Sequence, residues 1–224
     1  MSLNPPQQTA VEHISGPLLI LAGPGSGKTR VLVHRVAHLI GSGTAYPSQI
    51  LAVTFTNKAA DEMRRRLETL VGPAARELNS GTFHSICLRL LRRHSELAGF
   101  GPNFLVYDES DQLVLIKECM MALNIDKERL SPKSVVDRIS RAKDACKSPS
   151  EFSKESIGNV YLERIAGIYE RYQKRLNELE AMDFGDLIRL TVKMLDENPT
   201  LLENYRQRWR YIMVDEYQDT NNAQ

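Results

Sequence analysis

The most constraining feature of this sequence is a glycine-rich segment near its N-terminus. An apolar run from Leu18 to Leu21 precedes it, and an amphipathic stretch from Lys28 to about Ile40 follows. This order predicts a strand, a tight loop and a helix in succession. Glycines let the backbone N–H groups of such a loop point inward at an anion, and the N-terminus of the following helix adds positive potential. The segment therefore predicts a phosphate-binding loop.

The end of this loop has the residue types that a nucleotide and magnesium require. Lys28 would contact the β- and γ-phosphates, and the Thr29 hydroxyl would ligate Mg²⁺. The strict pattern has glycine at the position of Ala22, but a small residue there still permits the turn. A chance glycine-rich loop is the competing interpretation, and the agreement of strand, loop and helix disfavours it. The predicted ATP-binding residues of the loop are Ala22, Gly23, Pro24, Gly25, Ser26, Gly27, Lys28 and Thr29.

Two adjacent acids near the other end of the chain are the predicted partners of the loop. The apolar run Tyr211 to Val214, a predicted strand, is followed directly by Asp215 and Glu216. Open α/β sheets bind their ligands at the C-terminal ends of the strands. Asp215 would hold Mg²⁺, largely through water, and Glu216 would orient and deprotonate the attacking water. The long separation of these acids from the loop predicts an insertion between the two halves of the sheet.

Apolar runs alternate with helical periodicity in the first half of the chain. Ile50 to Phe55 is predicted as a buried strand with a helix after it, and a third unit begins at about Gly81. This alternation predicts a parallel sheet that is covered on both faces. The apolar positions of the two helices are Ala59, Met63, Leu67 and Leu70, and then Ile86, Leu90 and Leu97.

From about Asp108 the pattern changes to successive helices. These are predicted over about Ser110 to Leu123, Pro132 to Cys146 and Ile157 to Glu180. Asp108 caps the first, and Ser131 caps the second. The predicted fold class is α/β, a P-loop NTPase with an inserted all-helical subdomain, ending after the strand before Asp215. Residues 1–107 and 184–224 form the predicted ATP-binding domain, and residues 108–183 form the insertion.

Composition and charge exclude several classes of protein. With 42% hydrophobic and 25% charged residues, the chain resembles an ordinary globular protein. No apolar run approaches the roughly 18 residues of a membrane span, and Met1-Ser2-Leu3-Asn4 has no signal-peptide pattern. The three cysteines are far apart and suit buried thiols in a reducing cytosol. We therefore expect a cytoplasmic protein without a membrane partner.

The net charge of +1 gives no indication of a nucleic-acid partner. Basic residues do cluster locally, and we interpret these clusters as solvated helix faces that are balanced by acids. A nucleic-acid assignment therefore needs a more specific signal. The clusters are Arg64-Arg65-Arg66, Arg89 with Arg92 and Arg93, and Arg138 with Arg141 and Lys143.

Six short motifs supply that signal, and they are spread over almost the entire chain. They are Leu3-Asn4-Pro5-Pro6-Gln7, Ala22 to Arg30, Thr54-Phe55-Thr56-Asn57-Lys58-Ala59-Ala60, Gly81-Thr82-Phe83-His84-Ser85, Asp183-Phe184-Gly185-Asp186-Leu187 and Val214-Asp215-Glu216-Tyr217-Gln218-Asp219-Thr220-Asn221. Together they resemble the UvrD/Rep/PcrA group of superfamily 1 DNA helicases. The fifth motif differs from the group's D-F-D-D-L pattern at Gly185, where an acid is usual. The resemblance implies that the two predicted domains are an incomplete RecA-like domain 1A and a helical domain 1B.

The resemblance also implies further residues of the ATP site. Gln7 contacts the adenine edge, and Arg30 packs against the adenine. Gln218 has a role in sensing the γ-phosphate, although an exposed polar loop residue is the alternative. The implied catalytic residues are therefore Glu216, Lys28 and Gln218.

The resemblance implies a DNA surface at the third and fourth motifs. Phe55 offers a face on which a base stacks, which is worth roughly 1–3 kcal/mol in single-strand binders. Thr56, Asn57 and the N–H groups of the following helix hold a backbone phosphate. Phe55 has the alternative of a core aromatic residue. Thr82 and His84 either face DNA or serve as helix caps and internal hydrogen-bond partners.

The resemblance implies a protein that couples ATP hydrolysis to 3′-to-5′ movement along single-stranded DNA and unwinds duplex junctions in repair or replication. A second motor domain of the same full-length protein would supply arginines to the γ-phosphate, which stabilise the transition state. We therefore expect the present piece to unwind nothing by itself. Two other interpretations stay open: the helicase subunit of a recombination helicase–nuclease, and a P-loop switch that binds nucleotide without motor activity.

Overall fold

The computed structural model describes residues 3–224, and their contacts divide the chain into two compact units. The first unit contains the chain up to Ile86 together with Pro199–Asp219, and the second contains Cys87–Asn198 and Thr220–Gln224. Met1 and Ser2, part of the N-terminus without a signal-peptide pattern, lie outside the described residues. The units divide at other positions than the predicted domains, so the assignment of residues 87–107 and 184–198 to the ATP-binding domain stays a prediction.

The chain forms an α/β fold, as predicted. The strands are β1 (Ile50–Thr54), β2 (Asn79–Thr82), β3 (Leu105–Tyr107), β4 (Ala181–Asp183) and β5 (Tyr211–Val214). The helices are α1 (Pro5–Glu12), α2 (Lys28–Gly41), α3 (Asn57–Val71), α4 (Phe83–Arg93), α5 (Glu109–Ala122), α6 (Pro132–Asp144), α7 (Pro149–Ser156), α8 (Val160–Glu178), α9 (Phe184–Glu197) and α10 (Pro199–Arg208). Within residues 3–224, every helix is too short or too polar to cross a lipid bilayer.

A three-stranded parallel sheet organises the first unit. β1 lies in the middle, between β2 and β5, and all five of its residues are buried. A central parallel strand is covered on both faces, which explains its uninterrupted apolar sequence. Val53 pairs with Val214, and Thr54 pairs with Thr82. The C-terminal ends of the three strands therefore meet at one edge of the sheet.

The apolar faces of α2 and α3 complete this core. Val36 and Leu39 of α2 are fully buried, and so are Met63 and Leu67 of α3. Their spacing of three or four residues places each pair on one helix face. The single tryptophan of the chain, Trp209, follows α10 and is half-buried. Its ring contacts that of Tyr205, at 4.8 Å between centroids. Trp209 therefore packs against α10 at the border of the core.

The second unit is mostly helical and has its own core. Ile165, Tyr169, Tyr172 and Leu176 of α8 are buried against α5 and α6. The Asp108 side chain caps α5, accepting from the N–H groups of two first-turn residues, as predicted. Ser131 precedes α6 as its N-cap residue but makes no side-chain cap hydrogen bond. This unit also contains all three cysteines of the chain, Cys87, Cys119 and Cys146, as free thiols.

The strand predicted at Leu18 to Leu21 is wrong. Residues 17–23 have no regular secondary structure, and the side chains of Leu19 and Leu21 are 64% and 86% exposed. An apolar run becomes a strand only where its backbone has a hydrogen-bonded neighbour, and within residues 3–224 no strand pairs with this segment. The predicted loop and helix after it are present.

The helix predicted over about Ile157 to Glu180 is present as α8, which begins three residues later and ends two residues earlier. The structure has α7 and then α8, separated by Gly158 in the left-handed region at φ 86° and by Asn159, whose side chain caps α8. At the other end, Glu180 has a φ of 50°, and the chain leaves the helix to form β4. β4 pairs in parallel with β3, so residues 108–183 are not all helical. Leu97 lies beyond α4 in a short 3-10 turn and is exposed.

The solvated face predicted for Arg138, Arg141 and Lys143 is wrong at Lys143. Its side chain is only 1% exposed, and Nζ lies 2.6 Å from Asp183 Oδ2 and 2.8 Å from Asp186 Oδ2. Arg189 Nη2 lies 3.0 Å from the other oxygen of Asp186. Two further side chains reach these carboxylates: the Tyr172 hydroxyl donates to Asp183, and the Gln173 amide donates to Asp186. The fifth motif is thus part of a buried network of paired charges, which we call the Lys143 cluster.

Candidate functional site

The glycine-rich loop forms the tight turn that the sequence predicts. Gly25 and Gly27 have φ values of 75° and 89°, in the left-handed region that favours glycine. The Ser26 hydroxyl donates to the Gly23 carbonyl at 2.7 Å, which closes the loop on itself. Gly27 is the N-cap residue of α2, and its carbonyl accepts from the Val31 N–H. The loop therefore leads directly into the N-terminus of a helix of 14 residues.

Lys28 and Thr29 connect this loop to its surroundings in different ways. The Lys28 ammonium donates to the carbonyls of Ala22 and Gly23 at 3.1 and 3.4 Å, so the charge lies at the loop. The Thr29 hydroxyl donates to Asp215 Oδ2 at 2.9 Å. Asp215 is 6% exposed, and its N–H donates to the Val53 carbonyl at 2.9 Å. The predicted pair of hydroxyl and carboxylate is thus brought together by the end of β5.

Glu216 follows Asp215 directly, and Gln218 lies in the short 3-10 turn Tyr217–Asp219. Glu216 has a φ of 53°, which is rare for a residue with a side chain. Its carbonyl accepts from the Asp219 N–H at 2.9 Å. The Gln218 side-chain amide donates to the Glu216 carboxylate. The three catalytic residues implied by the sequence, Lys28, Glu216 and Gln218, all line one cavity.

This cavity has a volume of about 710 Å³, within the roughly 300–1,000 Å³ of small-molecule sites. Residues of the loop and of its entry form one side, and Arg30, Arg66, Glu216 and Gln218 complete the lining. Arg66 was predicted on a solvated face of α3. Its side chain is half-exposed and pairs with Glu62, yet it also reaches the cavity. The sequence spacing does not predict that Arg66 lines the cavity, because this depends on how α3 packs beside the loop.

Gln7 lies at the edge of the loop. It is the third residue of α1, and its Oε1 accepts from the Asn4 N–H at 3.0 Å while Asn4 Oδ1 accepts from the Gln7 N–H. Its Nε2 donates to the Ser26 carbonyl at 2.9 Å. The structure therefore places Gln7 against the loop and Arg30 in the wall of the cavity, and contact of either residue with adenine stays a prediction.

The predicted DNA-facing residues lie at the C-terminal ends of β1 and β2. Phe55 is half-buried, and its ring centroid is 5.4 Å from that of Phe83 at an interplanar angle of 57°. The Thr56 hydroxyl caps α3 by accepting from the Ala59 N–H. Asn57 is exposed at the start of α3, whose first turn has no acidic residue. Phe83 is absent from the predicted residues. A signal for it exists in the sequence, because β1 and β2 pair in parallel and each is followed directly by a phenylalanine.

Thr82 and His84 differ in their surroundings. Thr82 is 6% exposed, and its hydroxyl oxygen accepts from the Ser85 N–H at 3.1 Å. Its carbonyl accepts from the Ser85 hydroxyl at 2.9 Å. His84 is half-buried at the start of α4. Thr82 therefore has the capping role that was its alternative, and contact of His84 with DNA stays a prediction.

Comparison with known proteins agrees with these motifs. The sequence profile described as UvrD/REP helicase N-terminal domain matches residues 3–224. The chain is 47% identical over 222 residues to the ATP-dependent DNA helicase PcrA of Bacillus subtilis, and 45% identical over 223 residues to the protein of that name from Staphylococcus epidermidis. The corresponding value for Staphylococcus aureus is 44% over 222 residues. These matches cover 99–100% of the chain and 30% of each relative. The chain belongs to the UvrD/REP helicase N-terminal domain family.

Proposed function

We propose that this chain is the ATP-binding N-terminal portion of a cytoplasmic ATP-dependent DNA helicase, which moves 3′ to 5′ along single-stranded DNA and unwinds duplex in repair or replication. The observation that carries the proposal is the hydrogen bond of 2.9 Å between Thr29 and Asp215. A P-loop hydroxyl and a carboxylate at a strand end are the pair that hold Mg²⁺ beside a nucleotide's phosphates. The chain spans 30% of the length of its relatives, and we propose that the full-length protein has a second motor domain.

The donor set suits Mg²⁺. This ion prefers oxygen ligands and takes few of them from the protein, leaving the others to phosphate and water. Thr29 and Asp215 supply a hydroxyl and a carboxylate within hydrogen-bond distance of each other. Asp215 is buried, and a carboxylate removed from water is stabilised by a nearby cation. We infer that these two residues hold Mg²⁺, which would screen the charge of the triphosphate.

Other residues in and beside the cavity would bind the phosphates, activate water and bind the adenine of ATP. Lys28 and Arg66 would neutralise phosphate charge, and the N–H groups of the loop would bind phosphate oxygens. Glu216 would orient a water molecule and accept its proton. Gln218 donates to the Glu216 carboxylate, so it holds this base in place and can respond to the γ-phosphate. Gln7 and Arg30 would bind the adenine.

The ends of β1 and β2 form the proposed surface for single-stranded DNA and for duplex junctions. Phe55, supported by Phe83, would stack on a base. The first N–H groups of α3 lack partners within the helix, and exposed Asn57 and Lys58 lie beside them. Because no acid occupies this turn, a backbone phosphate would meet only donors and positive potential there. We do not include Thr82, whose hydroxyl is already used in capping.

ATP turnover of the full-length protein, measured with and without single-stranded DNA, tests the proposal. We expect DNA to raise turnover severalfold, because a motor hydrolyses ATP productively only on its track. Turnover without any response to DNA would contradict the motor and favour the nucleotide-binding switch.

Lys28→Ala tests the assignment of the phosphate site. Removing one charge that stabilises the transition state costs a factor of about 10²–10³ in kcat. We expect this loss together with an unchanged Kd for single-stranded DNA. Lys193→Ala, at an exposed lysine of α9 that pairs with Glu197, is the matched control and should retain full turnover.

A further inference from the structure

α1 is a short helix that packs against α2. It has eight residues, of which only Val11 is buried. Helices of this length are not stable in water by themselves, so tertiary contacts hold them in place. Gln7, at the third position of α1, contacts the phosphate loop through Ser26. Whatever fixes α1 therefore also fixes Gln7.

Arg35 of α2 holds the other end of α1. Its Nη1 donates to the Ala10 carbonyl at 3.0 Å and also to the His13 carbonyl. The last carbonyls of a helix lack partners within it, and the negative end of the helix dipole favours a cation there. Arg35 is half-buried and is not among the residues that line the cavity. Its contacts are with the C-terminal end of α1 and not with the place of the phosphates.

The hydrogen bonds of Gln7 leave a defined pattern for a ligand. A glutamine amide has two N–H donors and two acceptor lone pairs. Ser26 takes one donor, and the Asn4 N–H takes one lone pair. One donor and one acceptor remain, which match the N7 acceptor and N6 donor of adenine. Guanine presents two acceptors at the same edge, so it cannot satisfy both.

This pattern tolerates little movement of α1. A Cβ atom at Gly27 would lie only 3.1 Å from Gln7 Nε2, so the amide already lies against the loop. At eight residues, α1 has little more than two turns, so loss of the contacts at one end loosens the whole helix. Release of its C-terminal end would therefore displace Gln7 from Ser26 and change the direction of its free donor and acceptor.

We propose that Arg35 is a positioning residue for base recognition, which sets the preference for adenine over guanine by holding α1, and with it Gln7, against the loop. The inference rests on the proposed nucleotide site. It assigns to Arg35 no contact with the nucleotide and no part in the chemical step.

The test compares steady-state turnover of ATP and GTP by the full-length protein. In Arg35→Ala we expect the ratio of kcat/KM for ATP to that for GTP to fall about tenfold, as one well-placed hydrogen bond is worth about a factor of ten. The kcat for ATP should stay within about twofold, since the phosphate grip is intact. Arg35→Lys keeps the charge without the planar fork, so it should retain part of the ratio. Inorganic tripolyphosphate, which has no base, should inhibit wild type and Arg35→Ala equally.

A double-mutant cycle with Gln7→Ala separates this role from a purely structural one. If Arg35 acts through Gln7, the ratio in Gln7→Ala/Arg35→Ala equals that in Gln7→Ala alone. A residue that only stabilises the fold would lower the melting temperature and reduce turnover of both nucleotides equally. Arg64→Ala, at an exposed arginine of α3 that pairs with Asp61, is the control and should keep the ratio of the wild type.

Three results would overturn the inference. In the first, Gln7→Ala loses the preference for ATP over GTP, but Arg35→Ala and Arg35→Lys keep the wild-type ratio of kcat/KM. In the second, the ratio of kcat/KM for ATP to that for GTP is lower in the double variant than in Gln7→Ala alone. In both of these, the proposed function survives. The third is a wild type without turnover of ATP, which refutes the proposed function and this inference together.

Discussion

Glu216 occupies a backbone conformation that residues with side chains rarely adopt, and it lines the proposed nucleotide cavity. Such a conformation costs about 1–3 kcal/mol and persists only where neighbouring contacts enforce it. Here Asp215 is tied to Val53 before it, and the Asp219 N–H bonds to the Glu216 carbonyl after it. The direction of this carboxylate is therefore set by its neighbours and not by its own preference.

Phe55→Ala should weaken binding of single-stranded DNA by about 1–3 kcal/mol, the worth of one stacked base. Stacking releases no counterions, so the dependence of log K on log salt concentration should keep its slope. Fluorescence anisotropy with a labelled oligothymidine at several salt concentrations measures both quantities. Nucleotide affinity should stay unchanged, because Phe55 is not among the residues lining the cavity.

Tyr46→Ala is the matched control for this experiment. Tyr46 is an aromatic residue of the same unit that is 75% exposed and lies away from the ends of β1 and β2 in sequence. Its removal should leave DNA affinity as it is. Equal losses in both variants would mean that aromatic residues act nonspecifically, and the proposed DNA surface would be wrong.

Gly185→Ala should lower the free energy of unfolding by about 1–3 kcal/mol, as overpacking of a buried site does. An added Cβ would lie 2.9 Å from Lys143 Cδ and 3.0 Å from Lys143 Cβ. The lysine cannot move aside easily, because Asp183 and Asp186 hold its ammonium. As packed here, position 185 has no room for a side chain. Urea unfolding followed by circular dichroism measures the difference.

Gly167→Ala is the opposite case in a neighbouring helix. No atom lies within 4 Å of a Cβ added at Gly167, in the interior of α8. Alanine should therefore stabilise this helix by about 0.5–1 kcal/mol. A Gly185→Ala protein as stable as Gly167→Ala would show that Lys143 yields to the methyl group.

Elements with a long apolar period were predictable from the sequence, and those that depend on a partner were not. The apolar residues of α2 and α3 recur over three or more turns, so their spacing predicts which face of each helix is buried. Leu18 to Leu21 has the composition of a strand, but a strand also needs a neighbour. β4 has only three residues, too few for a period, and its pairing with β3 depends on tertiary structure.

The site shows the same division. Lys28, Thr29 and Asp215 were predictable because phosphate and magnesium chemistry requires those residue types beside a loop and a strand end. Arg66 and Lys143 were both placed on solvated faces, since a basic residue on a helix usually lies there. Their actual surroundings arise from the packing of α3 and of α6, which local spacing does not contain.

Lys143→Met should lower the free energy of unfolding by about 3–5 kcal/mol at neutral pH, because it leaves buried carboxylates without their cation. The Lys143 cluster joins α6, α8, β4 and α9, so the loss affects four elements. Urea unfolding provides the measurement. Lys193→Met, at an exposed lysine, is the control and should change stability by less than about 0.5 kcal/mol.

The pH dependence of this loss tests its electrostatic origin. Burial opposes ionisation of Asp186, but Lys143 and Arg189 outweigh it and hold its pKa below the ordinary value. The wild type therefore has the full stabilisation from Asp186 above the ordinary carboxyl pKa and loses it as the pH falls through the lowered one. Without Lys143, only Arg189 and the Gln173 hydrogen bond oppose the burial that favours the protonated form of Asp186. The stability difference between wild type and Lys143→Met should thus narrow from about pH 7 to about pH 5. A constant difference would indicate lost packing only.

At the scale of the whole molecule, the sheet of the first unit joins segments from both ends of the sequence. β5 pairs with β1, although the second unit's helices lie between them in the chain. Pairings between distant segments are formed slowly, since loop closure precedes their stabilisation. The proposed nucleotide cavity depends on the same pairing, because its lining combines Thr29 with Glu216.

Mg-ADP should stabilise the first unit by an amount that grows with the logarithm of its concentration above Kd. A ligand that binds only the folded state adds about 2.7 kcal/mol at a concentration of 100 times its Kd. Denaturation curves at increasing Mg-ADP concentration measure this shift. Lys28→Ala should reduce it at a given concentration, and an equal shift in that variant would place the ligand elsewhere.

The distribution of Trp209 and the cysteines provides each unit with its own optical or chemical signal. Indole fluorescence follows the first unit, where Trp209 is the only source, and labelling of thiols follows the second. Burial raises the pKa of Cys87 to about 11 and also raises those of Cys119 and Cys146, so reactive thiolates are scarce until the unit opens. The opening of the first unit and of the mostly helical second unit can thus be timed separately in one sample, by indole fluorescence and by thiol labelling.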